Sequence, residues 1–158
     1  MLLKRVKAAA DEADIAVLDL SALTEITGYP LRRAQMAVFE DFNRRFRSLG
    51  LSPAQYSALV AIGDNPGRKQ SEIAGALGIQ RPNFVAMMDE LERRGLAERL
   101  RSDIDRRSHA LVLTQAGSEL VARAREIQAG QEAAITRVLG PEGRETLIAL
   151  LWRLAKVE

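Results

Sequence analysis

A chain of 158 residues with 47% hydrophobic and 28% charged residues has the size and balance of one globular domain carrying appended helices. The absence of cysteine excludes a disulfide framework, a thiolate metal site and a thiol-based redox sensor. A net charge of only +2 excludes a bulk polycation, so any cations that meet a polyanion must be aimed by the fold.

No apolar run is long enough to span a bilayer, and the opening MLLKRVKAAADEAD lacks the apolar stretch and cleavage site of a signal peptide. A cytoplasmic protein with no membrane partner is the expectation. Residues 30–50 carry five basic against two acidic side chains. Leu31, Met36, Val38, Phe39, Phe42 and Phe46 recur there at a 3.6-residue period, which predicts an amphipathic helix over 31–49 closed by Gly50. Ser52 before Pro53 reads as an N-cap followed by proline at the first helical position. That helix runs through Tyr56, Leu59, Val60 and Ile62 to the turn Asp64-Asn65-Pro66-Gly67.

The stretch QSEIAGALG predicts a short helix with Ile73, Ala74 and Leu77 on one face, ended by Gly78. A further helix opens at Arg81-Pro82 and reaches Arg94, with Phe84, Met87, Met88 and Leu91 as its apolar stripe and Gly95 as its C-terminal cap. LAERLR and HALVLT then alternate as two strands around the charged tip SDIDRRS. From Thr114 the period returns to that of a helix, with Leu120, Val121, Ala124, Ile127 and Ala134 on one side. Gly140-Pro141 interrupts it before a last helix bearing Leu147, Leu150, Leu151 and Leu154.

The predicted fold is mainly α with a small β-hairpin wing. A winged helix-turn-helix spans 50–113, flanked by N-terminal helices in 1–49 and C-terminal helices in 114–158. A helix that reads DNA needs its apolar face on the domain and small or polar residues on the other face near its N-terminus. Beyond the stripe of the helix from Pro82, Arg81, Asn83, Val85 and Ala86 are left, with Asp89 at the flank. Asn83 has the geometry for adenine, Arg81 for guanine or phosphate, and Val85 and Ala86 the surface for thymine methyls. The alternative is that Val85 and Ala86 complete the core. In the hairpin tip, an arginine braced by an aspartate can read a narrow minor groove. Equally, the tip can be a solvated turn of weakly paired charges.

The segments GLSPAQYSALVAI, NPGRKQSEIAGALGIQRPNFVAMMDELERRGLAERL and DIDRRSHALVLTQAG, within residues 50–117, resemble the MarR (multiple antibiotic resistance regulator) family. The most specific element is Asp105-Arg106-Arg107 followed by LVLTQAG, which matches that family's D-x-R…LT-x-x-G pattern. The resemblance implies a ligand-responsive DNA-binding transcription regulator, a repressor released from a pseudo-palindromic operator. Arg107 would enter the minor groove with Asp105 holding it, Gln70 and Ser71 would lie near phosphates, and the helix from Pro82 would occupy the major groove. Lys69 stands where relatives carry a serine or threonine cap and brings a cation toward the phosphates instead. Val85, Ala86 and Glu90 replace more polar or basic residues of the family, which bears on the operator and not on DNA binding itself.

Leu120, Val121, Ile127, Leu147, Leu150, Leu151, Trp152 and Leu154 would leave an apolar face exposed on a monomer. The resemblance implies that terminal helices of two chains interlock there into a homodimer on double-stranded DNA. It also implies an effector pocket, for which Tyr29, Arg32, Arg33, Met36, Phe39 and Tyr56 combine apolar walls with cationic anchors. The segment YPLRRAQ looks like regulators of aromatic-acid breakdown, so the expected effector is an aromatic carboxylate or its acyl-CoA thioester. For Arg32 and Arg33 the alternative is a surface or phosphate-facing charge. No enzyme is expected: the single histidine, His109, sits in a strand beside the wing, without a glycine-rich phosphate loop, metal cluster or cofactor site. A winged-helix protein-interaction module and a ligand-independent DNA-binding regulator are the competing functions.

Overall fold

The computed structural model describes residues 18–101 and 109–156. The chain divides into two compact units, residues 1–36 and 37–158. In the first, α1 (Ser21–Thr24) is a single turn opened by the Asp19 carboxylate, which accepts from the Ser21 N–H at 2.9 Å. The start of α2 (Gly28–Phe46) follows. This helix begins three residues earlier than the sequence predicts, because Pro30 falls in its first turn, where a missing N–H has no intrahelical partner to lose. It ends at Phe46, and a 3-10 turn over Arg47–Leu49 leads to Gly50 at φ 58°, a left-handed position that suits glycine.

The second unit holds α3 (Pro53–Asp64), α4 (Gln70–Ala76), α5 (Arg81–Arg93), β1 (Ala97–Arg101), β2 (His109–Leu113), α6 (Gln115–Leu139) and α7 (Pro141–Leu154). Ser52 caps α3 as expected: its hydroxyl accepts from the Gln55 N–H at 3.2 Å, and the Gln55 side chain accepts from the Ser52 N–H at 3.0 Å. The strands pair antiparallel from Ala97 opposite Leu113 to Arg101 opposite His109. The chain before α4 adds a third edge to this hairpin. The Gly67 N–H donates to the Leu111 carbonyl, the Leu111 N–H to the Arg68 carbonyl, each at 2.9 Å, and Lys69 bridges Ala110.

One core fills the centre of this unit. Phe42 and Phe46 from α2, Leu59 and Ile62 from α3, Ile73 from α4, Phe84, Met88 and Leu91 from α5, Leu111 from β2, and Leu120, Val121 and Ala124 from α6 are all buried in it. Phe42 and Phe46 stack with ring centroids 3.8 Å apart, and Tyr56 meets Phe46 edge-on at 5.2 Å. Three expectations change here. Of the six apolar residues expected on the stripe of α2, Leu31, Met36, Val38 and Phe39 stay exposed, because only the last two turns of the helix reach the core. Leu120 and Val121, expected on an exposed face, are buried, because the first turns of α6 pack on the winged core. By contrast, Leu147, Leu150, Leu151, Trp152 and Leu154 are exposed as expected, and no residue of α7 is buried.

The LTQAG segment locks β2 into α6. The Thr114 hydroxyl accepts from the Gly117 N–H at 3.0 Å and donates to the Gly95 carbonyl at 2.7 Å, while the Thr114 N–H donates to the Leu96 carbonyl. Gly117 must be glycine for steric reasons alone, since a Cβ there would stand 1.8 Å from the Leu96 carbonyl oxygen. This half of the wing pattern is therefore a packing device. Among the described residues, no helix is long and apolar enough to cross a membrane.

Gly117→Ala should destabilise the protein by about 1–3 kcal/mol or more, because the added methyl meets backbone that cannot step aside. Thermal unfolding followed by circular dichroism checks this, and an unchanged Tm would mean that β1 and α6 can part at no cost.

Candidate nucleic-acid interface

The helix-turn-helix is built from α4 and α5. The short helix α4 opens at Lys69, whose ammonium cannot accept a hydrogen bond and so cannot cap as a serine would. Glu72 compensates from inside the helix, its carboxylate accepting from the Lys69 N–H at 2.8 Å. Lys69 and Ser71 are exposed and Gln70 is half-buried. Between the helices, Gly78 takes a φ of 64°.

On α5 the division of faces is sharp. Phe84, Met88 and Leu91 are buried and Met87 is partly buried, whereas Arg81, Pro82, Asn83, Val85 and Ala86 are all exposed. Val85 is 41% exposed, so neither it nor Ala86 completes the core. Pro82 lies in the first turn, where its fixed φ favours the helix and its missing N–H costs nothing. Glu90 pairs with Arg93 on the same helix. Arg94, the C-cap, turns back to donate to the Gly50 carbonyl at 2.8 Å and the Leu49 carbonyl at 3.0 Å, tying the end of α5 to the turn before α3.

A residue that the sequence reading missed ties the interface together. Arg99 on β1 is the hub of a polar cluster. Its Nε donates to Gln70 Oε1 at 2.7 Å, one Nη reaches Asp89 Oδ1 at 2.8 Å and also Glu92, and the other donates to the Val85 carbonyl at 3.2 Å. Its own N–H donates to Glu92 Oε1 at 2.8 Å. The spacing of Val85, Asp89 and Glu92, at i, i+4 and i+7, was a legible signal of one helix stripe. What the stripe faced was not legible.

Asp105, Arg106 and Arg107 lie outside the described residues. Of the expected effector residues, Tyr29, Arg32, Arg33 and Met36 belong to the unit 1–36 and Phe39 and Tyr56 to the unit 37–158, so each set is taken by itself. In the first, an Arg33 Nη donates to the Tyr29 hydroxyl at 3.4 Å, one turn apart, with Tyr29 half-buried and Arg32 and Met36 exposed. In the second, Tyr56 is half-buried against Phe42 and Phe46, and Phe39 is exposed. Burial pushes the Tyr56 phenol above its usual range. Arg125 opposes that shift, and Asp64 and Glu132 add to it.

With this geometry in place, the comparisons with known proteins converge. The profile of the MarR family matches residues 49–108. A protein of Thauera aromatica, assigned as the transcriptional regulator of the hcr operon, is 35% identical over 143 residues, covering 90% of this chain and 86% of its own length. The chain belongs to the MarR family. The transcriptional repressor CouR bound to a 23-mer DNA duplex is 48% identical, superposes with a TM-score of 0.86, and is matched over 89% of this chain and 100% of its own. CouR bound to p-coumaroyl-CoA is 45% identical, with a TM-score of 0.83 over 89% of this chain and 99% of its own. The winged helix, the mainly helical fold and the family expected from the sequence are thus found, and MarR proteins are transcription regulators rather than enzymes.

Because the folded-state pKa of Tyr56 lies above the unfolded value of about 10, its contribution to stability is complete below that pH. It is lost as pH rises through the folded-state value. Tyr56→Phe should therefore flatten the alkaline limb of a stability-versus-pH curve. Phenolate absorbance should show one tyrosine titrating late in the parent protein and missing in the variant. If the parent's tyrosines all titrate in the ordinary range, the burial of Tyr56 is wrong.

Proposed function

We propose that this MarR-family chain is a homodimeric repressor that holds a pseudo-palindromic DNA site through paired α5 helices and wings. An aromatic acyl-CoA thioester or the parent aromatic carboxylate releases it. The observation that carries the reading is the split of α5. Its apolar stripe is buried, while Arg81, Asn83, Val85 and Ala86 stand exposed at its N-terminal end, in a chain 48% identical to a repressor seen on DNA. Guanidinium, amide and methyl groups at the start of such a helix suit the mixed donor, acceptor and methyl edges of the major groove. Lys69, Gln70 and Ser71 at the start of α4 are assigned to phosphates. Asp105, Arg106 and Arg107 are assigned to the wing contact in the minor groove, with Arg107 the inserted side chain.

Dimerisation is supported by the end of the chain. Val138 and Leu139 close α6, and Leu147, Ile148, Leu150, Leu151, Trp152 and Leu154 line α7, all exposed, with Trp152 at 70%. An apolar surface of this extent, joined by Leu18, Leu20, Leu23 and Ile26 at the other terminus, calls for a second copy. Two recognition helices would then meet successive major grooves about 34–36 Å apart. For the effector, the p-coumaroyl-CoA held by CouR fixes the class to test first. Tyr29, Met36, Phe39 and Tyr56 supply walls for an aromatic ring, and Arg32 and Arg33 supply charge for a carboxylate or phosphate.

Two measurements test this reading. Fluorescence anisotropy on a duplex selected by the protein from a randomised pool should show affinity falling steeply with salt. Arg107→Ala should weaken binding about tenfold or more and reduce the salt slope by about 1. Adding p-coumaroyl-CoA should release the duplex, and Arg32→Ala with Arg33→Ala should blunt that response. Release that fails with hydroxycinnamates and their thioesters alike leaves a ligand-independent regulator. Salt-insensitive binding, or none, leaves a protein-interaction module.

The dimer has its own test. Because no residue of α7 is buried in the single chain, Leu150→Glu with Leu151→Glu should leave the helical circular dichroism intact. Light scattering should then find a monomer, with affinity for the palindrome reduced roughly a hundredfold. A variant that stays dimeric places the interface elsewhere.

A further inference from the structure

We propose that Arg99 is a positioning residue for the DNA interface, setting the aim of Gln70 and the seat of α5 while touching no DNA itself. This rests on the DNA-binding reading above. Arg99 has a side chain only 16% exposed, lies on β1 and reaches into both helices of the helix-turn-helix. One planar guanidinium there satisfies Gln70 on α4 and the Val85 carbonyl, Asp89 and Glu92 on α5. Only an arginine can do this, because its five donors diverge in a fixed fork, whereas a lysine offers a single charged point.

Two consequences follow for recognition. The first concerns Gln70. An arginine Nε can only donate, so the Gln70 atom that it meets must be the carbonyl oxygen, and the amide cannot flip. The end left to Gln70 is its NH2, a donor, which is the group that a phosphate oxygen requires. Without Arg99 the amide is free to turn either end outward, and the acceptor end faces phosphate unfavourably.

The second consequence is electrostatic. Asp89 is 63% exposed on the helix that carries the proposed base contacts, and Glu92 lies one turn beyond it. Two carboxylates there repel a polyanion. The buried guanidinium draws both toward the strand and cancels one of their two charges next to the phosphates. Asp89 and Glu92 thereby serve as the anchor of the recognition helix, at a reduced electrostatic penalty.

The experiment uses the full-length protein and the duplex selected by the wild type, and reads affinity across a salt series. Arg99→Gln and Arg99→Lys should each weaken binding roughly 10- to 100-fold, the range of a lost hydrogen bond to a charged group. The slope of log affinity against log salt should stay at the wild-type value, since no phosphate contact is removed. Adding Asp89→Asn to Arg99→Gln should recover part of the loss by removing an unmasked charge, and p-coumaroyl-CoA binding by calorimetry should persist in every variant that melts cooperatively. A slope reduced by about 0.9 would make Arg99 a phosphate contact and overturn the proposal. So would wild-type affinity in Arg99→Lys, even if Arg99→Gln fails to fold, because the fork would then be dispensable. A wild type without salt-dependent binding removes the DNA-binding reading as well, whereas normal wild-type binding with indifferent Arg99 variants removes only this inference.

Discussion

Three side chains that α5 gives to the core, Phe84, Met88 and Leu91, decide what the rest of that helix can do. They lie together with Phe46, Leu59, Ile62, Leu111 and Val121 in one buried cluster, so the helix cannot roll without opening it. With that face fixed, the first turn has no choice but to present Arg81, Asn83, Val85 and Ala86 outward. Exposing a valine and an alanine side by side costs something in water. That cost is what a surface built for thymine methyls would carry, and it distinguishes this helix from one that merely closes a domain.

Around that anchor, polar contacts hold the parts in register. Arg94 fastens the far end of α5 to the Leu49 and Gly50 carbonyls, Arg99 fastens its middle to β1 and α4, and the Thr114–Gly117 lock fixes β1 against α6. Each works by supplying donors to carbonyls or carboxylates whose positions the backbone already fixes. The result is a winged unit whose elements are stiffly joined, which suits a reader that must meet two grooves at once. The terminal segments differ. In α7 no side chain is buried, and the exposed leucines and Trp152 have no cover within one chain. A molecule with a rigid reading head and an unfinished apolar end is one whose assembly and reading are physically separable.

Much of this was legible in the sequence because local rules sufficed. Ser52-Pro53 marked the start of α3, Gly95 the end of α5, the alternation in 96–101 and 109–114 the wing strands, and Gly140-Pro141 the break between α6 and α7. Local rules also misled. The stripe on α2 was continuous, so periodicity assigned all six apolar residues to one face, yet only Phe42 and Phe46 meet a core. Periodicity reports that a face exists and is silent on what covers it. For the same reason Leu120 and Val121 were expected at a dimer surface and proved to belong to the winged core. The LTQAG signature, which stood out as part of a DNA-reading pattern, turned out to hold the wing to α6.

By itself, then, the sequence determined the order and nature of the elements, the outward chemistry of α5 and the family. Caps, turns and helical or strand periods act within a few residues and so can be read along a line. Only the tertiary structure decided the role of Arg99, because its partners Gln70, Val85, Asp89 and Glu92 lie between 7 and 29 positions away along the chain. Nothing local distinguishes that arginine from its exposed neighbours. A side chain that gathers groups from three elements acquires its function only when the backbone closes around it, and hydrogen-bond geometry, unlike periodicity, leaves no trace in spacing.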